Sequence, residues 1–489
     1  ALLRNQFHDI LDGSSIGPVY DEVKNFYKEV FFRGERALDF SLEAIANAIN
    51  TEGEGIPLVV FNPLFWERTD AVETTVLIPR AQVSGSLKIL DPQGSQVPYQ
   101  IVDTQDAGKH KAFRIIFIAE RVPSFGYKVY RVMPAPETAG VGSALSVSEN
   151  LLENEFLKVV LDPKTGRIKS LYDKAGQREA LAADGNLLQA IVDEPENMSA
   201  WELGLKDKYW NIGDDGARVE VVERGPVRGV IRVHNSFRNS IFEQDIILYA
   251  GIPRLDCRMS LDWQERNLMV KVTFSVNVKN TAAVCEIPFG AISRAADGTE
   301  VPALRWVDVA DDSGDYGLSL LNDSRYGFDV KNNMMRMSII HGAVSPDPEA
   351  DRGSHELLYS LYPHRRTWKE AGTLRRGREI NNPLLARQVM AHKGQLPAAR
   401  SFIQAEPENV AISCLKKEMG YYGRGLILRL YEAFGKPSEV EVRFPWPVEV
   451  QETDLIERPL KKLGAKGETL SLNLNPYEIR TLRIAKIGQ

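Results

Sequence analysis

The sequence predicts a mainly β protein with a short helical portion at its amino end. Three observations predict this. Before residue 55 the apolar residues recur at three and four, the period of a helix, while from Ile56 onward they alternate or gather in short runs between turn residues. A chain of 489 residues also calls for several domains, roughly three or four. No internal repeat of about 20–50 residues is visible, which argues against a propeller or solenoid.

The elements follow in order. Val19, Tyr20, Val23, Phe26, Tyr27, Val30 and Phe31 form one amphipathic stripe. Leu38, Leu42, Ile45 and Ile49 form a second, closed by Asn50 and the glycines at 53 and 55. Two helices are expected, in need of a further surface to cover them. "LVVFNPLFWERTDAVETTVLIP" then gives a strand, an Asn-Pro turn and an alternating strand, and residues 110–132 read as two more strands around Pro-Ser-Phe-Gly. "MPAPETAGVGSAL" is the best linker candidate. "NEFLKVVLDPKTGRIKSLYDK" is a hairpin, strand-like runs continue to "GLSLLNDSRYGFDV", residues 365–400 are ambiguous between helix and loop, and the last ninety or so residues return to strands.

Composition excludes several classes. The chain is 43% apolar and 26% charged with net charge −6, and it has no basic tract, so nucleic acid is an unexpected partner. No apolar run approaches the ~20 residues of a membrane span, and no secretory signal opens the chain. Cys257, Cys285 and Cys414 are widely spaced, with neither a disulfide framework nor zinc-knuckle spacing, which suits a reducing compartment. The chain starts at Ala1, and "ALLRNQF" reads like the middle of a helix, so a segment is expected upstream.

Candidate chemistry is sparse. Sugar cleavage uses two carboxylates at a set separation, and 66 acidic residues offer no way to choose a pair. The seven histidines include no HxH, HxD, DxH or HExxH spacing, so a self-contained zinc site is not expected. Asp347, Asp351 and His355 stand at steps of four, but Pro346, Pro348 and Gly353 oppose a helix, and turn hydrogen bonding by the two aspartates is the expectation. Asn322, Asp323 and Arg325 share a tight turn that could hold sugar hydroxyls or serve as an Asx-turn. Trp201, Tyr209 and Trp210 could stack on sugars, although aromatics in β proteins are more often core. His8 and Asp9, side by side in "NQFHDILDGSS", would ordinarily be a short helix end with a buried histidine.

Six segments, in order along the chain, resemble the carboxyl-terminal half of the glycoside hydrolase family 38 α-mannosidases: "NQFHDILDGSSI", "VFNPLFWERTD", "ENEFLKVVLDPKTGRIKSLYDK", "LDWQERN", "YGLSLLNDSRYGFDV" and "PDPEADRGSHELLYSLYPH". The sequence departs from the family pattern at Asp12, where proline is usual, and at Glu202, where aspartate is commoner. The resemblance implies a helical-bundle remnant over 1–53, a small β domain over 54–135, a galactose-mutarotase-like β-supersandwich over 145–400 and a terminal β-sandwich over 401–489. It implies that His8 is a ligand of an active-site Zn2+ and that Asp9 contacts the bound sugar. Trp201, Asn322 and Asp323, read from the residues themselves, are the further candidate substrate contacts.

The remaining zinc ligands, the nucleophile and the acid would lie in an amino-terminal barrel of the same protein, so no catalytic residue is expected in this chain and the chain alone should be inactive. The implied reaction is retaining hydrolysis of terminal α-mannosides or oligosaccharides, in the cytoplasm, with no nucleic acid or membrane partner and with homo-oligomerisation left open. The alternatives are a hydrolase of another α-mannoside such as mannosylglycerate, and a non-catalytic carbohydrate-binding β-sandwich protein.

Overall fold

A computed structural model describes residues 2–83, 86–135, 144–420, 425–465 and 467–487. Most of the predicted linker, at 136–143, lies outside the described residues. The chain divides into two compact units: residues 1–47, 142–283 and 294–373 form the first, and 48–141, 284–293 and 374–489 the second.

The two predicted helices are one. After a single turn at His8–Leu11, a 32-residue helix runs from Gly17 to Ala48 with Pro18 in its first turn. Gly34, between the two apolar stripes, does not break it, because one interior glycine costs only about 1 kcal/mol. Residues 31–41 of this helix are exposed throughout, Phe31 and Phe40 among them at 63% each.

The rest of the first unit is antiparallel sheet. In the larger sheet, Arg218–Arg224, Arg228–Phe237, Ser240–Tyr249, Leu255–Trp263, Gly353–Arg365, Tyr316–Asn322 and Trp306–Ala310 are neighbours in that order. A six-stranded sheet has the order Leu205–Asn211, Leu187–Asp193, Leu268–Ser275, Met334–Ile340, Gly327–Lys331, Val301–Pro302. Their apolar faces meet: Phe274 of the second sheet approaches Tyr359 of the first edge-to-face at 6.3 Å, and both rings are fully buried. The predicted hairpin pairs Leu157–Leu161 with Ile168–Asp173. Asp162 caps its turn by accepting the Lys164 and Thr165 N–H groups, which hold its carboxyl below the usual range. Gly166 closes the turn at φ +72°, where a Cβ would lie 2.2 Å from Val233 Cγ1.

The second unit holds two cores. In the first, Ile56–Asn62 and Gly126–Ala135 lie at the centre of one sheet and Arg68–Pro79, His110–Val122 and Tyr99–Ala107 form another, burying Leu58, Val76, Ile115 and Phe117. Asn62 fastens the Asn-Pro turn, donating to Trp66 O at 2.7 Å and accepting from Leu64 N at 3.0 Å. The second core lies between Gln404–Glu406, Ser438–Arg443 and Thr469–Leu474 and a five-stranded sheet containing Leu426–Glu432 and Ile479–Lys486. The ambiguous stretch resolves into a helix, Thr373–Asn381, and a strand, Leu385–Gln388, that pairs with Ile56–Asn62.

Candidate functional site

The amino-terminal segment is built around exposed chemistry and a buried anchor. Asn5 is fully buried, and its side-chain amide has no hydrogen-bond partner among the described residues. His8 and Asp9, in the following helical turn, face solvent with side chains 78% and 50% exposed. His8 Nε2 lies 3.5 Å from Asp9 Oδ2, and its ring leans on Phe7 at 4.2 Å. The ordinary expectation of a buried histidine at a helix end is therefore wrong here. One turn of helix cannot enclose a side chain without a neighbouring element over it.

Downstream, Asp12 accepts the Ser14 hydroxyl at 2.7 Å and its N–H at 3.2 Å, so an aspartate holds the turn at this position. Ser15 N–H donates to Tyr20 Oη at 2.8 Å. Gly17 fits tightly beside Asp347, whose Oδ2 would be 3.2 Å from a Cβ. Burial raises the Tyr20 pKa; the Ser15 N–H opposes this, and the charges of Asp12, Asp351 and Asp347 add to it.

Asp12 and Gly13 form one wall of a cleft of about 420 Å³, whose other walls include Arg325, His341, Asp351 and His355. Arg325 is fixed by donation from Nε to Ile339 O at 2.7 Å; burial pushes its pKa down against the charges of Asp323 and Asp351. His341 Nε2 meets Asp193 Oδ2 at 2.6 Å, and Asp193 Oδ1 accepts Gly204 N–H at 2.6 Å. Asp351 accepts Gly342 N–H at 3.0 Å, and its carbonyl oxygen lies 2.6 Å from His355 Nε2. Asp347 forms the Asx-turn expected of it, accepting Glu349 N–H at 3.0 Å. The cleft thus mixes one guanidinium, two imidazoles and two carboxylates, a set suited to hydroxyl-rich ligands because it offers donors and acceptors together.

The other sequence candidates are placed as follows. Asn322 is buried and holds its turn, accepting Arg325 N–H at 2.8 Å and donating to Leu304 O at 2.7 Å. Asp323 accepts the Ser324 hydroxyl at 2.6 Å. This turn delivers Arg325 to the cleft. Trp201 is half-exposed in a turn directly after Ala200, a cleft residue. Tyr209 is exposed, whereas Trp210 is flanked by the Arg238 guanidinium at 4.8 Å and Phe237 at 5.9 Å. The His341–Asp193 pair escaped the sequence reading, since partners 148 residues apart leave no local spacing.

Zinc can be tested against the donor set. A zinc site draws three or four ligands from the protein, and among the described residues no group of three or more His, Cys, Asp or Glu is placed to hold a metal. His8, exposed with a carboxylate beside it, fits one corner of such a site and cannot form it alone.

Two family models match the chain: "Glycosyl hydrolases family 38 C-terminal domain" over residues 152–349 and "Glycosyl hydrolases family 38 C-terminal beta sandwich domain" over 409–482. The chain belongs to glycoside hydrolase family 38. Among family relatives, the mouse (Mus musculus) protein "Alpha-mannosidase 2C1" is 28% identical over 98% of this chain and 44% of its own length. "Alpha-mannosidase G" of Dictyostelium discoideum is 23% identical over 98% of this chain and 47% of its own length. The chain therefore spans less than half of the curated relatives it matches. Among solved structures, an alpha-mannosidase from Enterococcus faecalis V583 shares the fold with a TM-score of 0.82 at 16% identity, covering 99% of this chain and 62% of that one.

Proposed function

We propose that this chain is the carboxyl-terminal portion of a zinc-dependent, retaining α-mannosidase that hydrolyses terminal α-mannosides. The observation that carries the proposal is the exposed His8–Asp9 pair in a chain of family 38. His8 would supply one neutral imidazole nitrogen to Zn2+, and Asp9 would accept hydrogen bonds from sugar hydroxyls. When bound, the zinc supplies a Lewis acid and a template for those hydroxyls. Phe7 packs on the imidazole and limits its rotation, and the turn at Asp12–Ser14 fixes where the pair is held. The cleft that begins at Asp12, shortly after the pair in sequence, has the mixed donors and acceptors that suit a polyhydroxylated ligand.

The other zinc ligands, the nucleophile and the acid belong in this proposal to an amino-terminal barrel of the same polypeptide, in line with the 44% coverage of the mouse relative. Retention would then follow from two carboxyl groups about 5–5.5 Å apart on that barrel. A cytoplasmic location goes with the reading, supported by three cysteines that are all free thiols. The test begins with the coding sequence upstream of Ala1. An in-frame segment carrying a D-x-H motif, zinc bound to the purified full-length protein and β-to-α retention read by NMR of the released sugar would support it. A stop codon just upstream, or inversion of the anomeric centre, would overturn it and favour a carbohydrate-binding β-sandwich protein or another hydrolase.

A further inference from the structure

The second unit contains a cleft of about 530 Å³ that adjoins another of about 600 Å³, the two sharing Glu406 and Pro407. The first is floored by Phe65 and Trp66, an edge-to-face pair at 4.6 Å. Trp66 is locked by donation from its indole N–H to Glu379 at 2.8 Å. Arg375 stands over the Trp66 ring, 5.6 Å from its centre, and reaches Glu408 at 3.3 Å. Its side chain is 26% exposed, and burial pushes its pKa down against the charge of Glu408.

A guanidinium has five N–H donors, and among the described residues Arg375 makes one hydrogen bond, to Glu408. A cation stripped of much of its water and left with open donors is an unfinished site. The second cleft continues over the outer face of the three-stranded sheet. There Glu439 pairs across with Asn473 and Glu441 with Ser471, so acceptors and donors alternate on one surface. Along the groove Glu406, Glu408, Glu439 and Glu441 outnumber Arg375 and Arg443, which opposes an anionic ligand. A sugar hydroxyl donates and accepts at once, and a vicinal diol can answer Arg375 and Glu408 together.

We propose that this groove binds a neutral oligosaccharide, with Arg375 and Glu408 as its central contacts. The inference rests on the mannosidase reading only for the choice of sugar, and its test reads binding rather than turnover. Linear α-mannotriose is titrated into the 489-residue chain by calorimetry and tryptophan fluorescence, beside a sulfated disaccharide of similar size. Saturable binding near 1 mM, the range of a few hydrogen bonds, is expected, weakened roughly tenfold by Arg375→Ala and by Glu408→Gln. Glu408 is 75% exposed, so its variant should melt with the wild type and separate binding from folding. No saturation by mannotriose, unchanged binding in both variants, or preference for the sulfated sugar would overturn the proposal. Loss of hydrolysis in the full-length enzyme with this binding intact would count against the mannosidase reading alone.

Discussion

Replacing Glu432 by glutamine should destabilise the terminal sandwich by about 2–4 kcal/mol. Glu432 is fully buried, and its two oxygens are spoken for. Oε2 accepts the N–H groups of Gly435 at 2.7 Å, Lys436 at 3.1 Å and Tyr477 at 3.1 Å. Oε1 accepts Phe434 N–H at 2.8 Å and the Asn409 amide at 2.7 Å. A glutamine of the same shape can turn its oxygen to one set, and its NH2 then faces donors. One orphaned backbone N–H costs about 1–3 kcal/mol, and the remaining bonds each lose roughly 1 kcal/mol of charge assistance. Relief from no longer burying a charge offsets part of this.

Burial raises the Glu432 pKa, but Asn409 and the backbone donors outweigh it and leave the carboxyl below its ordinary value. A depressed carboxyl contributes stability above its unfolded pKa of about 4.3 that is lost as pH falls through the folded pKa. Calorimetric melts between pH 3 and 7 should therefore show a steeper acid slope in the wild type than in Glu432→Gln, which keeps the share of other depressed carboxyls such as Asp162. At pH 7 the variant should melt about 5–15 °C lower, while Glu449→Gln, at a 61% exposed side chain, stays unchanged. A Glu432→Gln protein within 1 kcal/mol of wild type would refute the accounting.

His8→Ala and Asp9→Asn should leave stability within about 0.5 kcal/mol, as both side chains are exposed; in the full-length protein the first should lose zinc by metal analysis after chelator. Asp9→Asn should keep zinc and lose roughly 10- to 150-fold in kcat, one charged hydrogen bond of about 1.5–3 kcal/mol. Gly166→Ala should cost about 2–5 kcal/mol in urea denaturation from left-handed strain and the clash with Val233, and Val233→Ala should recover the steric share. Burial lowers the His364 pKa, but the Asp308 charge and hydrogen bond at 2.7 Å outweigh it and the net shift is upward. Its contribution is complete below the unfolded pKa of about 6.5 and fades as pH rises through the folded value; NMR titration of the His364 ring, with and without Asp308→Asn, checks it.

The β class and the hairpins were legible because period-2 alternation and turn residues such as Asp162-Pro-Lys-Thr-Gly166 are local signals that the structure uses locally. One helix reads as two because its apolar stripe is interrupted between Phe31 and Leu38, and a single sequence does not tell such an interruption from a helix break. Leu385–Gln388 was missed because four residues carry no period; its strand character comes from Ile56–Asn62, over 300 residues away. Within the site, Arg325 could be suspected from the Asn322 turn that positions it, a short-range device. His341 could not, since its meaning depends on Asp193 arriving from another strand.

The unbroken helix from Gly17 to Ala48 sets a rule for how this region can change length. Its buried positions, Val23 and Ala46, lie near opposite ends, and every residue inserted between them turns one against the other by about 100°. A single-codon insertion or deletion there would swing one anchor out to solvent, while seven residues restore the phase to within about 20°. Length variation among homologues in this segment should therefore come in steps of seven or eleven, with the exposed stretch 31–41 as the place where such steps are absorbed.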